Sequence, residues 1–182
     1  ISHSNHIKFD TTKPEFVKVL RKRVNQYFKD NNISKNSNSM MVFKTIFMLC
    51  LYFIPYALIV SGLVSSYYSL ICWSIMGFGM AGIGLSIMHD ANHNAYSKNP
   101  KVNQWIGYFI NLVGGYDLNW RVQHNVLHHT YTNIIGHDED VDAGIVLRFS
   151  KDQPRKLHHG FQHIYAWFLY GLMTLSWLLS KD

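Results

Sequence analysis

The stretch "TIFMLCLYFIPYALIVSGLVSSYYSLICWSIMGFGMAGIGLSIM", residues 45–88, contains no Asp, Glu, Lys or Arg. A helix that crosses a bilayer needs about 20 predominantly apolar residues. The stretch therefore accommodates two spans, at about residues 45–64 and 70–88, joined by the uncharged turn "SSYYS" with Tyr67 and Tyr68 at interface depth. Pro55 is tolerated as a kink within the first span. Lys44 marks its edge, and the basic run "KPEFVKVLRKRVNQYFK", residues 13–29, lies just before it. Positive flanks stay on the cytoplasmic side. Two spans return the chain to that side, so His89 and the residues after it are expected to be cytoplasmic.

Composition agrees with a membrane setting. Only 15% of the 182 residues are charged, against about 25% in ordinary globular chains. The net charge is +6, but its concentration ahead of the first span points to a membrane surface rather than nucleic acid. Cys50 and Cys72 both fall inside the apolar stretch, and no disulfide framework is expected. No apolar signal-peptide core precedes the spans, which themselves direct insertion.

Around this hairpin the chain is read as helical. Thr12 as N-cap, Pro14 in the first turn and Glu15 three residues after Thr12 open a helix. Phe16, Leu20, Val24 and Tyr27 then recur at helical spacing, with Lys18, Arg21, Lys22 and Arg23 mostly on other faces. This is either an interfacial amphipathic helix or a solvated helix packed on another part of the protein. "NNISKNSNS", residues 31–39, is a polar linker. "WIGYFINLVGGYDL", residues 105–118, is too short to span comfortably and is expected to lie at the interface or re-enter it. Residues 164–180, "IYAWFLYGLMTLSWLLS", are expected to form a third span. Gly77, Gly79 and Gly82 match a G-x-G-x-x-G pattern but sit inside an apolar run, without the strand that a dinucleotide site requires. The small residues Gly77 and Ala81, and Gly82 and Ser86, are instead expected to admit a neighbouring helix.

Two histidine clusters follow the hairpin. "HDANH" places His89 and His93 four residues apart, on one face of a helix. "HNVLHH" repeats that spacing at His124 and His128 and adds His129, turned about 100° from His128 on an α-helix. An adjacent pair suits division between two ions, so five histidines beside a bilayer make a two-metal site. Imidazole does not select among Zn, Cu, Fe and Ni. Asp90 stands where the glutamate of H-E-x-x-H belongs, which argues against a zinc protease.

With "HDANHNAYS" and "NWRVQHNVLHHTYTN" as its first and second histidine boxes, the sequence resembles the membrane fatty acid desaturases, especially the bacterial group of linoleoyl-CoA (front-end) type. "GHDEDVD", "LRKRVNQYFKDNNIS" and "FQHIYAWFLYGL" extend the similarity over nearly the whole chain, but only over the N-terminal half of a family member. The resemblance implies an all-α, multi-pass integral membrane fold with a transmembrane hairpin, cytoplasmic histidine-box helices and a third span near the C-terminus. Residues 1–39 would be a cytoplasmic amphipathic segment and linker, and residues 40–182 an incomplete desaturase domain. It implies two iron ions, with His89, His93, His124, His128 and His129 as ligands. The substrates would be an acyl-CoA or acyl-lipid and O2. Two electrons would come from a ferredoxin or b-type cytochrome, and membrane lipids, not nucleic acid, would be the other partners. A third box and a fourth span are missing, so this chain alone is expected to be inactive. No His-Pro-Gly-Gly haem motif precedes the first span, and the electron donor is expected to be a separate protein.

Several polar residues have two readings each. Asp90 either fixes a ligand imidazole by a hydrogen bond or is a helix-surface charge. Asp138, Asp140 and Asp142 fail as a calcium loop; they support the metal ligands or form a solvated acidic loop. Asn133 holds a water on iron or is a turn residue. Trp120 and Arg121 line the acyl path, contact a head group or anchor the interface. His137, His158, His159 and His163 are given no metal. A histidine-box hydroxylase or ketolase is the alternative enzyme. A metal transporter is the alternative of another class, although its spans should carry charges and the first two here carry none.

Overall fold

The computed structural model describes residues 7, 9, 14–138, 140, 141 and 144–180. Among these every regular element is helical, and no strand occurs. α1 is Glu15–Asp30, with Glu15 in its first turn and Lys29 in its last, both favourable to the helix dipole. The expected cap, Thr12, lies outside the described residues. α1 buries none of its residues, leaving Phe16, Leu20, Val24 and Tyr27 exposed.

α2, Ser39–Val60, begins where the Asn38 side chain accepts the Met41 N–H. It keeps Pro55 within it and ends before Gly62, whose φ of 72° is the left-handed conformation that stops helices. α3 runs over Ser66–Asn92. These are the two described helices long and apolar enough to cross a membrane. Both differ from the expected limits, α2 beginning and ending earlier and α3 extending at both ends. The C-terminal extension of α3 carries His89 on the second span's own helix. Their outer faces expose Phe43, Ile46, Leu70, Trp73, Phe78 and Leu85, which a bilayer accommodates and water does not.

α2 and α3 pack closely because glycine lets them. A Cβ on Gly79 would lie 2.8 Å from the Tyr52 nitrogen and 3.0 Å from the Met48 carbonyl oxygen, and one on Gly82 would collide with the Met48 side chain. Gly77 faces open space. The contact stripe is thus Gly79 and Gly82, and the expected role of Gly77 is corrected. Gly79→Leu is expected to split the hairpin, costing more than the about 1–3 kcal/mol of ordinary overpacking. Gly77→Leu should be tolerated. Thermal unfolding of both variants in detergent checks this, and equal stabilities would refute the stripe.

Burial is deepest where α3 leaves its apolar run. Ile83, Ile87, Ala91 and Tyr96 form one core cluster, flanked by Met48, Leu49, Tyr52 and Ile106. Met88, Ile110 and Trp120 form a second. The Thr45 hydroxyl bonds the Met41 carbonyl at 2.8 Å and the Tyr96 hydroxyl at 2.9 Å. The linker is tied to the same corner: Ser37 N–H donates to the Tyr96 carbonyl and Asn36 Nδ2 to that of Ala95.

Residues 105–118 form no span. α4, Pro100–Gly107, is capped by Asn99, and α5, Phe109–Leu112, ends before Gly114 at φ 95°. α6 covers residues 117–131. The apolar C-terminal segment is divided into α7, Gln162–Gly171, and α8, Met173–Ser180, around a turn at Leu172. Neither has the length of a span.

Candidate metal centre

Both histidine boxes sit on helices that widen locally into π geometry. In α3 the π segment is Ile83–Met88, directly before His89. In α6 it is Arg121–His128, which contains His124 and His128. π turns carry an extra residue per turn and often mark functional sites. The four-residue spacing signals a shared face, but nothing in it announces this widening.

The five box histidines converge. Ring centroids are 4.6 Å apart for His89 and His93, 5.2 Å for His93 and His124, and 4.8 Å for His93 and His129. His124 and His128 stack at 5.2 Å with 13° between planes, and His124 lies 4.9 Å from His129. His89, His93 and His124 each offer one ring nitrogen within 4.8 Å of the others. His89 Nε2 and His124 Nε2 are 3.2 Å apart. Two imidazoles on one ion at about 2.0–2.1 Å stand about 3 Å apart, so this pair has the spacing of neighbouring ligands. His93 Nε2 is buried without a hydrogen-bond partner, a lone pair or N–H aimed at nothing in the protein. This orphaned nitrogen fits a metal.

Electrostatics keep the cluster ready for a cation. Burial, then the neighbouring His89 and His129, lower the pKa of His93, against a smaller opposing effect of Asp90. Burial and the surrounding imidazoles push His124 down to about 4. Metal binds neutral imidazole. The sign for stability follows: an unfolded histidine takes a proton near pH 6.5, while folded His124 resists until about 4. Its contribution is present above pH 6.5 and is lost as pH falls from there toward 4. Thermal unfolding of the metal-free chain should therefore drop between pH 7 and 5. A flat profile would contradict the clustering.

Carboxylates hold the outer side. His128 Nδ1 is 3.1 Å from both oxygens of Asp138 and 3.2 Å from Asp140 Oδ2. A carboxylate only accepts, so this bond places a proton on Nδ1 and leaves the Nε2 lone pair free. Asp138 is fully buried and also accepts the backbone N–H groups of Asn133 at 2.7 Å and Asp140 at 3.0 Å. Burial alone would raise its pKa. The Asn133, His128 and Asp140 hydrogen bonds and the His128 charge outweigh burial and lower it. Asn133, at φ 64°, is a turn residue whose N–H serves Asp138. Asp90 lies 3.3 Å from His89 Nδ1. Asp142 lies outside the described residues.

Among the described residues, His137, His158, His159 and His163 stand apart from this cluster. His158 and His159 both reach the Ile145 carbonyl through Nε2. His137 lies against Tyr131, with Nδ1 buried and unpartnered.

Two residues left with several readings by the sequence have definite neighbours in the fold. Trp120 is buried at 7% exposure and forms the floor of the cluster, stacking on His124 at 4.5 Å and meeting His89 and His93 edge-on. Its position four residues before His124 is the signal that could have found it. Arg121 Nε donates to Asn92 Oδ1 at 3.0 Å. Asn92, between His89 and His93, also donates to the Gly107 carbonyl and accepts at its own carbonyl from Asn125 Nδ2. This buried asparagine joins the two boxes. Asn92→Ala is expected to cost about 1–3 kcal/mol through the groups left unpaired, measured by thermal unfolding. A change within about 0.5 kcal/mol would argue against the joint.

Comparison with known proteins gives the cluster a context. The sequence profile of the fatty acid desaturase family matches residues 65–182. The chain is 35% identical to the sn-1 linoleoyl-lipid 6-desaturase of Synechocystis over 176 residues, 97% of this chain and 49% of that protein. It is 37% identical to the acyl-lipid (8-3)-desaturase of Physcomitrium patens over 179 residues, 95% of this chain and 36% of that protein. It thus spans half or less of the length of these curated relatives. No solved structure matches. An all-helical chain with two membrane-length apolar helices, a histidine cluster at the end of one and a profile match over most of its length belongs to the fatty acid desaturase family.

Proposed function

We propose that this chain carries the first two histidine boxes of a fatty acid desaturase, a membrane enzyme that inserts a double bond into the acyl chain of an acyl-lipid or acyl-CoA. The observation that carries this reading is the convergence of all five box histidines at the end of the apolar hairpin. Two iron ions are the proposed occupants, with His89, His93, His124, His128 and His129 as ligands. When bound, iron supplies the redox capacity toward O2 that zinc lacks. The protein's share is positioning: Asp138 and Asp140 orient His128, Asp90 orients His89, and Trp120 closes the floor against water. Removal of two hydrogens from the acyl chain, with O2 leaving as water, needs two electrons, which we assign to a separate ferredoxin or b-type cytochrome.

In this reading residues 1–39 are a cytoplasmic segment with α1 on the membrane surface, and residues 40–182 are part of the enzyme domain. The C-terminal apolar helices form a third crossing, and the boxes face the cytoplasm. Support comes from the basic residues beside the exposed apolar face of α1 and its short tether to α2. The test is product analysis of the full-length enzyme with its donor. A new double bond is expected. An oxygenated product with no new double bond would assign it to the hydroxylases instead.

A further inference from the structure

Outside the histidine cluster, a cleft of about 640 Å³ opens at the start of α7. Its walls change character along the helix. Arg148, Arg155 and His163 line it together with Ala166, Trp167 and Tyr170. The last three follow His163 by three, four and seven residues, so they share its face of the helix. Among the described residues no Asp or Glu lines the cleft. Arg148 is held in place: its Nε donates to the Gln153 carbonyl at 2.8 Å and its Nη2 to the Lys151 carbonyl at 2.5 Å, and its own backbone N–H and carbonyl are bonded by the Gln162 side chain. Arg155 is exposed and has no ion-pair partner among the described residues. Lys151 and Lys156 flank the same loop, against the single Asp152.

The Arg155 guanidinium can take phosphate oxygens as a fork, and the outer Nη1 of the fixed Arg148 adds a further charged donor. The apolar strip beyond them suits hydrocarbon. We propose that this cleft seats the phosphate-bearing head group of the acyl substrate, with the start of its acyl chain lying over Trp167 and Tyr170. The phosphate belongs either to coenzyme A or to a glycerophospholipid. The same loop is bonded back toward the metal centre: Gln153 Nε2 donates to the Val141 carbonyl, Val141 N–H to the Asp138 carbonyl, and the Asp138 carboxylate accepts from His128. Head group and histidines are therefore held by one connected segment. The acyl tail in this proposal rests on the desaturase reading, whereas the phosphate seat does not.

Calorimetric titration of the full chain in detergent tests it. The probes are coenzyme A, dihexanoylphosphatidylglycerol and uncharged dihexanoylglycerol. Arg155→Gln is expected to weaken a phosphate probe about tenfold, with partial recovery in Arg155→Lys and weakening by salt. Response to coenzyme A alone, to the phospholipid alone or to both supports the seat and identifies the source. Equal binding of dihexanoylglycerol, or binding unchanged in Arg155→Gln, overturns it. Thermal unfolding checks that this exposed substitution leaves the fold intact. A chain that binds phosphate through Arg155 but takes up no metal would refute the desaturase reading and leave the seat standing.

Discussion

Replacing His93 and His124 together by alanine is expected to reduce the metal content of the purified chain to background. His124 carries the argument because its ring meets those of His89, His93, His128 and His129. No other residue touches both boxes so widely. His93 contributes the buried nitrogen that no protein group satisfies. Removing even an outer hydrogen-bond partner of a ligand typically costs 10–100-fold in metal affinity. Losing two ligands should cost more than about 100-fold. Elemental analysis after equilibration with ferrous iron is the measurement, with His158→Ala and His159→Ala as controls that retain metal. Full metal content in the double variant would remove the cluster from consideration as a metal centre.

The second large effect is expected from Asp138→Asn. The carboxylate receives three donors: two backbone N–H groups and the His128 ring. An amide has one accepting oxygen, and its NH₂ would face a donor in a fully buried place. A destabilisation of about 2–3 kcal/mol is expected for the groups left unpaired, together with a 10–100-fold loss of metal affinity as His128 loses its orientation. Asp140→Asn, half exposed at 50%, should cost much less. Unfolding curves and metal titrations of the two variants give both numbers. Equal behaviour of the two would mean that burial of Asp138 has no bearing on the site.

Much of this molecule is legible in its sequence, and the failures are instructive. The charge-free run from Thr45 to Met88 dictates the hairpin, because a bilayer demands length and apolarity and little else. The box histidines are legible for a similar reason: spacing of four on a helix, α or slightly widened, keeps two side chains neighbours. What is not legible depends on which turn faces which. Gly79 rather than Gly77 meets α2, a matter of rotation about the axis that composition does not encode. Trp120 looks like an interface anchor until the fold lays it under the imidazoles. Asn92 is hidden between two conspicuous histidines, and its partners Arg121 and Asn125 lie on another helix. The C-terminal apolar run offers no proline to warn of the turn at Leu172.

The π segments decide where the box helices can absorb a change in chain length. Gly79 fixes the rotation of α3 against α2, and the widened turn at Ile83–Met88 intervenes before His89. Deleting one residue from that turn would restore ordinary α-helical bonding and give a tidier helix. Because the widened turn is where the extra residue is held, the helix beyond it would keep nearly the same phase, whereas a deletion in the α-helical turns between Gly79 and Ile83 would swing His89 and His93 by about 100° away from His124. The irregular turn acts as a phase shifter between a part of the helix that answers to α2 and a part that answers to the opposing histidines. A one-residue change of length is therefore easier to absorb at the widened turn than in the α-helical turns before it.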